Sequence, residues 1–458
     1  VASEAGVEVD LPDNFYSLVA DKHSKSEEKE EKVIPFADRI AKLPKTKRLF
    51  YDEPNRMEFE GVVLDIFENN IVLDNTLLYP EGGGQPADHG TLTVEDVVLN
   101  VVDTQIYDGV VVHTIDNIED ELHIRKGDLV VGRVDEERRM AHARHHTATH
   151  IINDAAREVL GSHIWQAGAQ KFKDRARLDL SHYKRITQEE LDQIELIANR
   201  TVMENRRVLS DWMDRTEAEQ KYGFRLYQGG VPPGKMIRVM QVGNDIEACA
   251  GTHCTNTGLV GPIKILKTER IQDGVERLEY AAGEAAIKAM QDLESLVRDS
   301  SETLRVSAEQ LPSTIERFFE EWKEFKKENT RLKEDLAHAR VSQLVTEAED
   351  INGIKVIAKS ITNADSDELT KTAGELTQET DVVAVLISEM NGVKIVAAAG
   401  EDAVKNGINV GAIVKEMSAI VGGGGGGRQN MARGGGTDAS KMDEALNRSI
   451  ELLKEQIE

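Results

Sequence analysis

The stretch His146–His150 reads HTATH, and a second stretch, Cys249–His253, reads CAGTH. Each begins and ends with a side chain that can bind a metal, so its two donors lie four positions apart. On a helix this spacing corresponds to a turn of about 40°, which places both donors on the same side. Imidazole nitrogen and thiolate sulfur are donors that zinc binds in tetrahedral geometry. The pattern therefore predicts one Zn²⁺ held by His146, His150, Cys249 and His253.

Each half of this pattern also has an ordinary explanation when it is taken alone. Histidine pairs at helical spacing arise by chance on solvated helices, and a lone cysteine is usually a small buried hydrophobe. His142 lies four positions before His146 and could compete as a donor. We interpret it as lying behind the ligands or facing solvent. The combination of the two pairs is what favours a metal.

The sequence defines the ligands of the zinc site better than it defines whether the site is catalytic or structural. A zinc endopeptidase uses a glutamate directly after the first histidine as general base, and this chain has Thr147 there. A peptidase is therefore disfavoured. Four protein ligands would also close the shell of a purely structural zinc, which activates no water. Both an open and a closed site fit the sequence.

Composition limits the class of protein. The 458 residues are enough for several domains, with 40% hydrophobic and 30% charged residues, as in a soluble globular protein. A net charge of −26 argues against a uniformly basic nucleic-acid binder, and DNA is not an expected partner. Two cysteines are too few for a secreted disulfide scaffold, which favours a cytoplasmic protein. No apolar run reaches the length of a membrane span, so no membrane partner is expected.

The pattern along the chain predicts a multi-domain α+β protein. We expect five parts: a remnant of a preceding domain or a linker at 1–47, a small β-barrel at 48–138, an α+β zinc domain at 139–283, a long helical hairpin or coiled coil at 284–347, and a C-terminal α/β globular domain at 348–458. Barrel strands are expected at 60–67, 71–79, 90–97, 110–115 and 128–134. In the zinc domain we expect helices at 141–160 and 188–204 and strands at 171–180, 235–242 and 259–270.

Two glycine-rich segments are candidates for binding. In Tyr79–Pro86 (YPEGGGQP) the three glycines permit positive φ and close backbone approach, which suits a substrate-contacting loop or a flexible hairpin. The block 422–436 contains two glycine runs with Arg428 and Arg433. Between two helices, it is expected to be an ordered loop that faces an anion, or else a linker.

The second expected helix of 284–347 has an apolar heptad pattern. Its a and d positions are Ile315, Phe318, Trp322, Phe325, Asn329, Leu332, Leu336 and Ala339. This spacing is typical of a coiled coil, and a polar a position fixes its register. The pattern predicts a homodimer, with an intrachain helical hairpin as the alternative.

Several motifs in one order make the chain resemble the C-terminal half of the archaeal-type alanyl-tRNA synthetases, from Arg48 to the end. The motifs are YPEGGGQP at 79–86, HTATHI at 146–151, QKFKDRARLDLSH at 170–182, CAGTH at 249–253 and the glycine block followed by RQNMA at 428–432. Two departures from the family pattern are Ala250, where glycine is usual, and Gln429-Asn430, where proline and aspartate are usual.

The resemblance implies an editing hydrolase that deacylates alanine tRNA mischarged with serine or glycine. It implies that the four predicted ligands hold one zinc ion, and that Gly82, Gly83, Gly84 and Gln85 form the substrate-binding loop. Thr76 corresponds to a hydroxyl that meets the serine side chain, so Thr76 and Gln85 are the expected catalytic residues. The region after the zinc domain is implied to dimerise and to contact tRNA, with Arg428 and Arg433 as candidates.

The residues before Arg48 are too few for an amino-acid-activating domain, so ATP-dependent aminoacylation is expected only of a full-length enzyme. The chain is then either part of a synthetase or a free-standing trans-editing protein. A third alternative is an RNA-binding and dimerisation module with a structural zinc. The densest basic stretch near the editing motifs is a candidate tRNA face and comprises Lys171, Lys173, Arg175, Arg177, Lys184 and Arg185.

Overall fold

The computed structural model describes residues 36–116, 124–228, 230–232 and 234–457. Most of the expected N-terminal remnant therefore lies outside the described residues. The chain divides into two compact units, Val1–Ser300 and Ser301–Glu458. Within the described part, no helix combines the length and the apolar character needed to cross a membrane.

The first unit begins with a closed six-stranded barrel in the order β2-β3-β7-β6-β5-β8. Its strands are β2 (Glu58–Phe67), β3 (Asn70–Leu73), β5 (Gly90–Val94), β6 (Val97–Tyr107), β7 (Val110–Ile115) and β8 (Leu129–Val134). The predicted barrel is confirmed. It also contains a strand, β6, that the prediction lacked, and the expected strand 71–79 ends early. Outside the barrel, β1 (Lys47–Arg48) pairs with β4 (Asn75–Thr76), and two short helices are α1 (Ala37–Ile40) and α2 (Leu49–Asp52).

A long helix, α3 (Glu136–Leu160), follows the barrel. Asp135 caps its N-terminus by accepting from the backbone N–H of Arg138, and the chain turns away at Gly161. A buried ion pair between Arg139 and Asp88 ties the first turn of this helix to the barrel. This ion pair therefore fixes the position of α3 relative to the barrel, at a point of the helix close to the predicted ligand His146.

Helix α3 packs against two sheets and a second helix, α4 (Gln188–Met203). One sheet has the order β14-β15-β10-β9, made of β9 (Gln166–Lys171), β10 (Ala176–Ser181), β14 (Ile263–Gln272) and β15 (Val275–Ala282). The other has the order β11-β12-β13, made of β11 (Leu209–Asp214), β12 (Met236–Val242) and β13 (Asp245–Ala248), with α5 (Arg215–Tyr222) after β11. The expected single strand 171–180 is wrong, because a tight turn in which Phe172 donates to Arg175 O makes it a hairpin.

Two long helices come next, α6 (Glu284–Leu304) and α7 (Leu311–Thr346). The break falls where the sequence predicts it, and Ser307 and Gln310 form a capping box there. The apolar heptad side chains of α7 that the structure describes are largely exposed; those with the largest exposed fractions are Ile315, Trp322, Phe325 and Leu332.

The C-terminal part is an α/β domain on a six-stranded sheet in the order β16-β17-β18-β19-β21-β20. The strands are β16 (Glu349–Ile351), β17 (Ile354–Ser360), β18 (Val382–Glu389), β19 (Val393–Ala399), β20 (Gly424–Gly427) and β21 (Met431–Gly436). The helices are α8 (Ser366–Leu376), α9 (Glu401–Lys405), α10 (Val410–Ile420) and α11 (Met442–Ile457).

The glycine block is a β-hairpin at the edge of this sheet, whereas the sequence predicted a loop. Close packing against helix α10 explains why glycines build these strands. A Cβ on Gly425 would lie 2.4 Å from Ser418 Oγ, and one on Gly434 would lie 2.1 Å from the same atom. Because these glycines have no side chains, helix α10 packs directly against the backbone of the hairpin.

Candidate metal centre

The four predicted ligands meet in one cluster in the first unit. His146 and His150 project from one face of α3, with ring centroids 5.8 Å apart. Cys249 directly follows β13, and His253 lies in the loop after it. Cys249 Sγ is 3.3 Å from His146 Nε2 and 3.7 Å from His253 Nε2, and His253 Nε2 is 3.1 Å from His150 Nε2. All four donor atoms lie within 4.8 Å of one another.

Each histidine of the cluster is held by a hydrogen bond at its other ring nitrogen. Nδ1 of His146 lies 2.9 Å from Gln85 Oε1, and Nδ1 of His253 lies 3.1 Å from the carbonyl of Gly251. Nδ1 of His150 lies 2.8 Å from a carboxylate oxygen of Asp245. Partners of this kind fix the tautomer and orient the ring, which leaves Nε2 free to bind a metal.

The loop that carries Cys249 and His253 is fixed through its backbone carbonyls. Arg238 donates to the carbonyls of Cys249 and Gly251, at 3.2 and 2.9 Å. A Cβ on Gly251 would lie 2.0 Å from Cε1 of His146, so only glycine allows this approach. The unusual residue Ala250 is exposed and leaves the donors in place.

The electrostatics of the cluster favour the ligand forms of most of its members. Burial alone would raise the pKa of the Cys249 thiol, but His146 and His253 hold it well below its usual value. Burial, together with the charge of Lys171, holds the pKa of His146 well below its usual value, and burial lowers that of His253 to about 4. Metal ligands of these types bind as thiolate and neutral imidazole.

His150 differs from the other two histidines of the cluster. Burial would lower its pKa, but Glu247 and Asp245 raise it well above the usual value. Burial and the neighbouring Asp245 raise the pKa of Glu247 well above its usual value, whereas the pKa of Asp245 is lowered despite its burial, chiefly by its hydrogen bond to His150. Asp245 is therefore the carboxylate that stabilises positive charge at this ring, whether a proton or a metal ion carries it.

The cluster fits a tetrahedral zinc ion. Bonds of about 2.0–2.3 Å would place neighbouring donors about 3.3–3.8 Å apart. The three separations of 3.1, 3.3 and 3.7 Å are close to that range. Three nitrogens and one sulfur are also a donor set that zinc accepts.

The predicted substrate loop lies against this cluster. The buried side chain of Gln85 contacts His146, and its Nε2 donates to Thr252 Oγ1 at 2.8 Å. Gly83 and Gly84 have positive φ, and Lys171 on β9 binds the carbonyls of both, through its Nζ and its backbone N–H. The loop is thus an ordered turn joined to both the metal ligands and the neighbouring sheet.

Thr76 forms its hydrogen bonds with residues other than the four donors. Thr76 is fully buried on β4, beside the barrel, where its hydroxyl lies 2.9 Å from Nε2 of the barrel residue His113 and accepts from the backbone N–H of Leu78. His142 is buried rather than facing solvent, and its ring nitrogens have no hydrogen-bond partner among the described residues. Arg428 and Arg433 belong to the second unit.

Sequence reasoning missed several residues that surround the ligands. Asp245 and Glu247 lie four and two positions before Cys249, and this alternation places them on the same face of β13, toward His150. No sequence pattern marked Arg238, on the neighbouring strand β12, as part of the site. Lys171, expected on an exposed basic face, is only 2% exposed, and its Nζ donates to Gly83 O at 3.1 Å.

Comparison with protein families finds three matches along the chain. Residues 1–138 match the model for tRNA synthetases class II (A). Residues 237–279, which include Cys249 and His253, match the threonyl and alanyl tRNA synthetase second additional domain. Residues 353–455 match the DHHA1 domain.

Curated relatives match the whole chain. The alanine–tRNA ligase of Methanococcoides burtonii is 85% identical over 457 residues, which cover 100% of this chain and 50% of the relative. That of Methanosarcina barkeri is 65% identical over 455 residues, or 99% of this chain and 49% of the relative. The C-Ala domain of alanyl-tRNA synthetase from Aquifex aeolicus, a solved structure, is 26% identical with a TM-score of 0.21, covering 24% of this chain and 96% of that one.

The chain spans about half the length of the curated relatives that it matches. The identities extend from end to end of this sequence, and the family matches lie in both compact units. These findings confirm the resemblance that the motifs indicated. The chain therefore belongs to the alanine–tRNA ligase family, of the archaeal type.

Proposed function

We propose that this chain is an editing hydrolase that deacylates alanine tRNA mischarged with serine or glycine. The observation that carries the proposal is the convergence of three imidazoles and a thiolate beside the Gly82–Gln85 loop. Cys249 is the ligand with the most exposed side chain, so an ester can approach from its side. The match to a domain shared by threonyl and alanyl tRNA synthetases supports the same function.

We propose Zn²⁺ as the resident metal, held by His146, His150, Cys249 and His253. When bound, zinc supplies a fixed positive charge that can polarise an ester carbonyl or orient the aminoacyl group. The residues around the ligands would keep that charge in place: Gln85, Asp245 and the Gly251 carbonyl each hold one imidazole.

Hydrolysis of an aminoacyl ester creates negative charge on the carbonyl oxygen, and Lys171 is placed to stabilise it. Its ammonium group is buried near Cys249 and His146: burial lowers the pKa of Lys171 although Cys249 acts to raise it, and the charge of Lys171 lowers the pKa of His146. One of its three N–H groups donates to Gly83 O. Among the described residues its Nζ makes no other hydrogen bond, so the other two N–H groups are available for the developing oxyanion. A buried cation is effective in this role because little water screens it.

Thr76 and Gln85 have different tasks in this proposal. Gln85 orients His146 and so acts through the ligand rather than on the substrate. The hydroxyl of Thr76 is fixed by His113 and Leu78, with one lone pair left to accept a hydrogen bond from the hydroxyl of serine. A partner for that hydroxyl would let the site discriminate serine from alanine.

The second unit is proposed to bind tRNA and to dimerise. Arg428 lines a cavity of about 720 Å³ together with Lys405 and Asn409, and this cavity suits a phosphate or a base of the RNA. Arg433 is half-exposed and lies 3.8 Å from Asp367, which partly neutralises it. The exposed apolar stripe of α7 supports a coiled-coil homodimer.

A second candidate function rests on the number of ligands. Four protein donors can close the shell of a zinc ion, in which case the centre is structural and the chain is an RNA-binding and dimerisation module. This candidate predicts tRNA binding without release of the amino acid.

Deacylation of mischarged tRNA tests the proposal. Zinc-loaded protein is incubated with seryl-tRNA and alanyl-tRNA for alanine, and release of each amino acid is followed. We expect release of serine to be much faster than release of alanine, and to be lost in Cys249→Ala. Cys254→Ala is the matched control, because this second cysteine is buried outside the cluster. Binding without release by the wild type would support the structural-zinc candidate instead.

A further inference from the structure

A cluster of aromatic and cationic side chains borders the exposed side of the metal centre. Tyr51 donates from its hydroxyl to the carbonyl of Ala250, at 2.9 Å, and so lies directly over the ligand loop. The ring of Trp212 packs edge-on against Tyr51, with centroids 5.7 Å apart. Arg48 and Arg238 complete the cluster, which we call the aromatic edge.

The two arginines give the aromatic edge a positive charge. Their guanidinium groups lie 5.2 and 4.9 Å from the ring centroid of Tyr51. Arg238 is bound by backbone carbonyls, and within the described ranges neither arginine forms an ion pair with a carboxylate. In a chain with a net charge of −26, two arginines without acidic partners beside the centre point to an anionic ligand.

Trp212 offers a surface on which a flat ligand can stack. It lies on β11, the edge strand of its sheet, and 42% of its surface is exposed. A tryptophan that is held by a neighbouring ring and open on another side is a common platform for an unpaired base. The combination of an aromatic platform with arginine is typical of sites for single-stranded RNA.

We propose that the aromatic edge binds the unpaired 3′ end of an RNA, with a base stacked on Trp212 and a phosphate beside Arg48. The inference rests on the proposed function, because the ester to be hydrolysed would be on the terminal nucleotide. The hydrogen bond from Tyr51 to Ala250 then links the bound nucleotide to the ligand loop. The aromatic edge thereby sets the distance between the RNA end and the metal centre.

Fluorescence provides a direct test of binding. The chain has three tryptophans, and replacing Trp165 and Trp322 with phenylalanine leaves Trp212 as the reporter. A short single-stranded RNA with the 3′-terminal sequence of tRNA should quench its emission. Arg48→Ala should weaken this binding and reduce the slope of log K against log salt concentration by about one, as expected for the loss of one phosphate contact. The side chain of Arg48 donates no hydrogen bond within the described part of the chain and contacts the ring of Tyr51, so its truncation should leave the fold intact.

Kinetics separate this inference from the proposed function. Trp212→Ala should raise KM for seryl-tRNA about tenfold and leave the hydrolysis of serine ethyl ester, which has no nucleotide, unchanged. Trp212→Phe should restore most of the affinity. Leu209→Ala, an apolar truncation on the same exposed strand, is the matched control and should have little effect.

The outcomes are distinct. Quenching by RNA without release of serine would support the RNA-binding site and contradict the proposed function. Release of serine with an unchanged KM in Trp212→Ala, and no quenching, would overturn the inference alone. Loss of a protein–protein complex in Trp212→Ala, with RNA binding intact, would also overturn it and assign the aromatic edge to a protein contact.

Discussion

The side-chain oxygen of Gln85 lies 2.9 Å from Nδ1 of His146 and accepts its hydrogen bond. The same oxygen accepts from the backbone N–H of Thr252 at 3.0 Å, so one carboxamide joins the glycine loop, helix α3 and the Cys249–His253 loop. The side chain is fully buried, and its contacts are with the groups that carry the metal ligands. Gln85 is therefore best understood as a residue that positions His146.

Replacement of Gln85 should lower the affinity for zinc directly, and it should lower the rate of hydrolysis only through that loss. Gln85→Ala removes the acceptor for His146 Nδ1, and we expect zinc affinity to fall about 10- to 100-fold in competition with a chelator. Gln85→Glu keeps an oxygen acceptor at the same place and should retain most of the affinity. Equal affinity in wild type and Gln85→Ala would contradict a positioning role.

Two neighbouring small residues in the ligand loop should respond in opposite ways. Gly251→Ala places a methyl group 2.0 Å from the ring of His146, so we expect loss of bound zinc and a lower melting temperature. Ala250→Gly changes an exposed position and restores the residue usual in the family, so it should be nearly neutral. Metal content and thermal unfolding of the two variants check this difference. A normal zinc content in Gly251→Ala would contradict the close approach.

The helical spacing argument holds only for the first pair of predicted ligands, because Cys249 and His253 lie in the loop after β13 and not on a helix. For His146 and His150 the signal is local: four positions on one helix place two side chains on the same face, whatever surrounds them. The alternation of buried residues likewise predicted the barrel, since period two is a property of each strand alone.

Features that depend on strand pairing were not predictable in this way. Lys171 reads as part of an exposed basic stretch, and only the β9–β10 hairpin and the docked glycine loop bury it. The glycine block gave no strand signal, because glycine has low β propensity and its role here is to let α10 approach. The partnership of Arg238 with the carbonyls of the ligand loop depends on the pairing of β12 with β13.

Substitution of Thr76 should separate the two mischarged substrates. Thr76→Val removes the acceptor proposed for the serine hydroxyl, so hydrolysis of seryl-tRNA should fall more than that of glycyl-tRNA. Thr76→Ser keeps the hydroxyl and should preserve the ratio. Thr76→Val also leaves His113 Nε2 without its partner, at a cost of about 1–3 kcal/mol in unfolding free energy. Equal losses for both substrates would leave Thr76 with a structural role beside His113 and no role in substrate choice.

Two lysines of one segment should differ in their effect on the rate. Lys171→Met removes the buried cation, and we expect kcat for seryl-tRNA to fall about 100-fold or more, with a smaller change in KM. Lys173 is exposed and pairs with Glu137 on the surface, so Lys173→Met should reduce binding only slightly. Single-turnover rates with saturating enzyme distinguish the two effects. Similar rates in both variants would exclude Lys171 from stabilising the oxyanion.

The exposed stripe of α7 should determine the oligomeric state. Phe325 occupies a d position and has 71% of its surface exposed, a costly arrangement for a large apolar side chain unless another surface covers it. Phe325→Glu would bury a charge at the helix–helix contact of a coiled coil, so the variant should be monomeric in sedimentation at concentrations where the wild type is dimeric. Lys327→Glu introduces a charge of the same sign at an f position and should leave the dimer intact. Because the proposed editing residues lie in the other compact unit, the monomeric variant should still deacylate seryl-tRNA once saturated with it. A wild type that is monomeric at all concentrations would show that the stripe has another occupant.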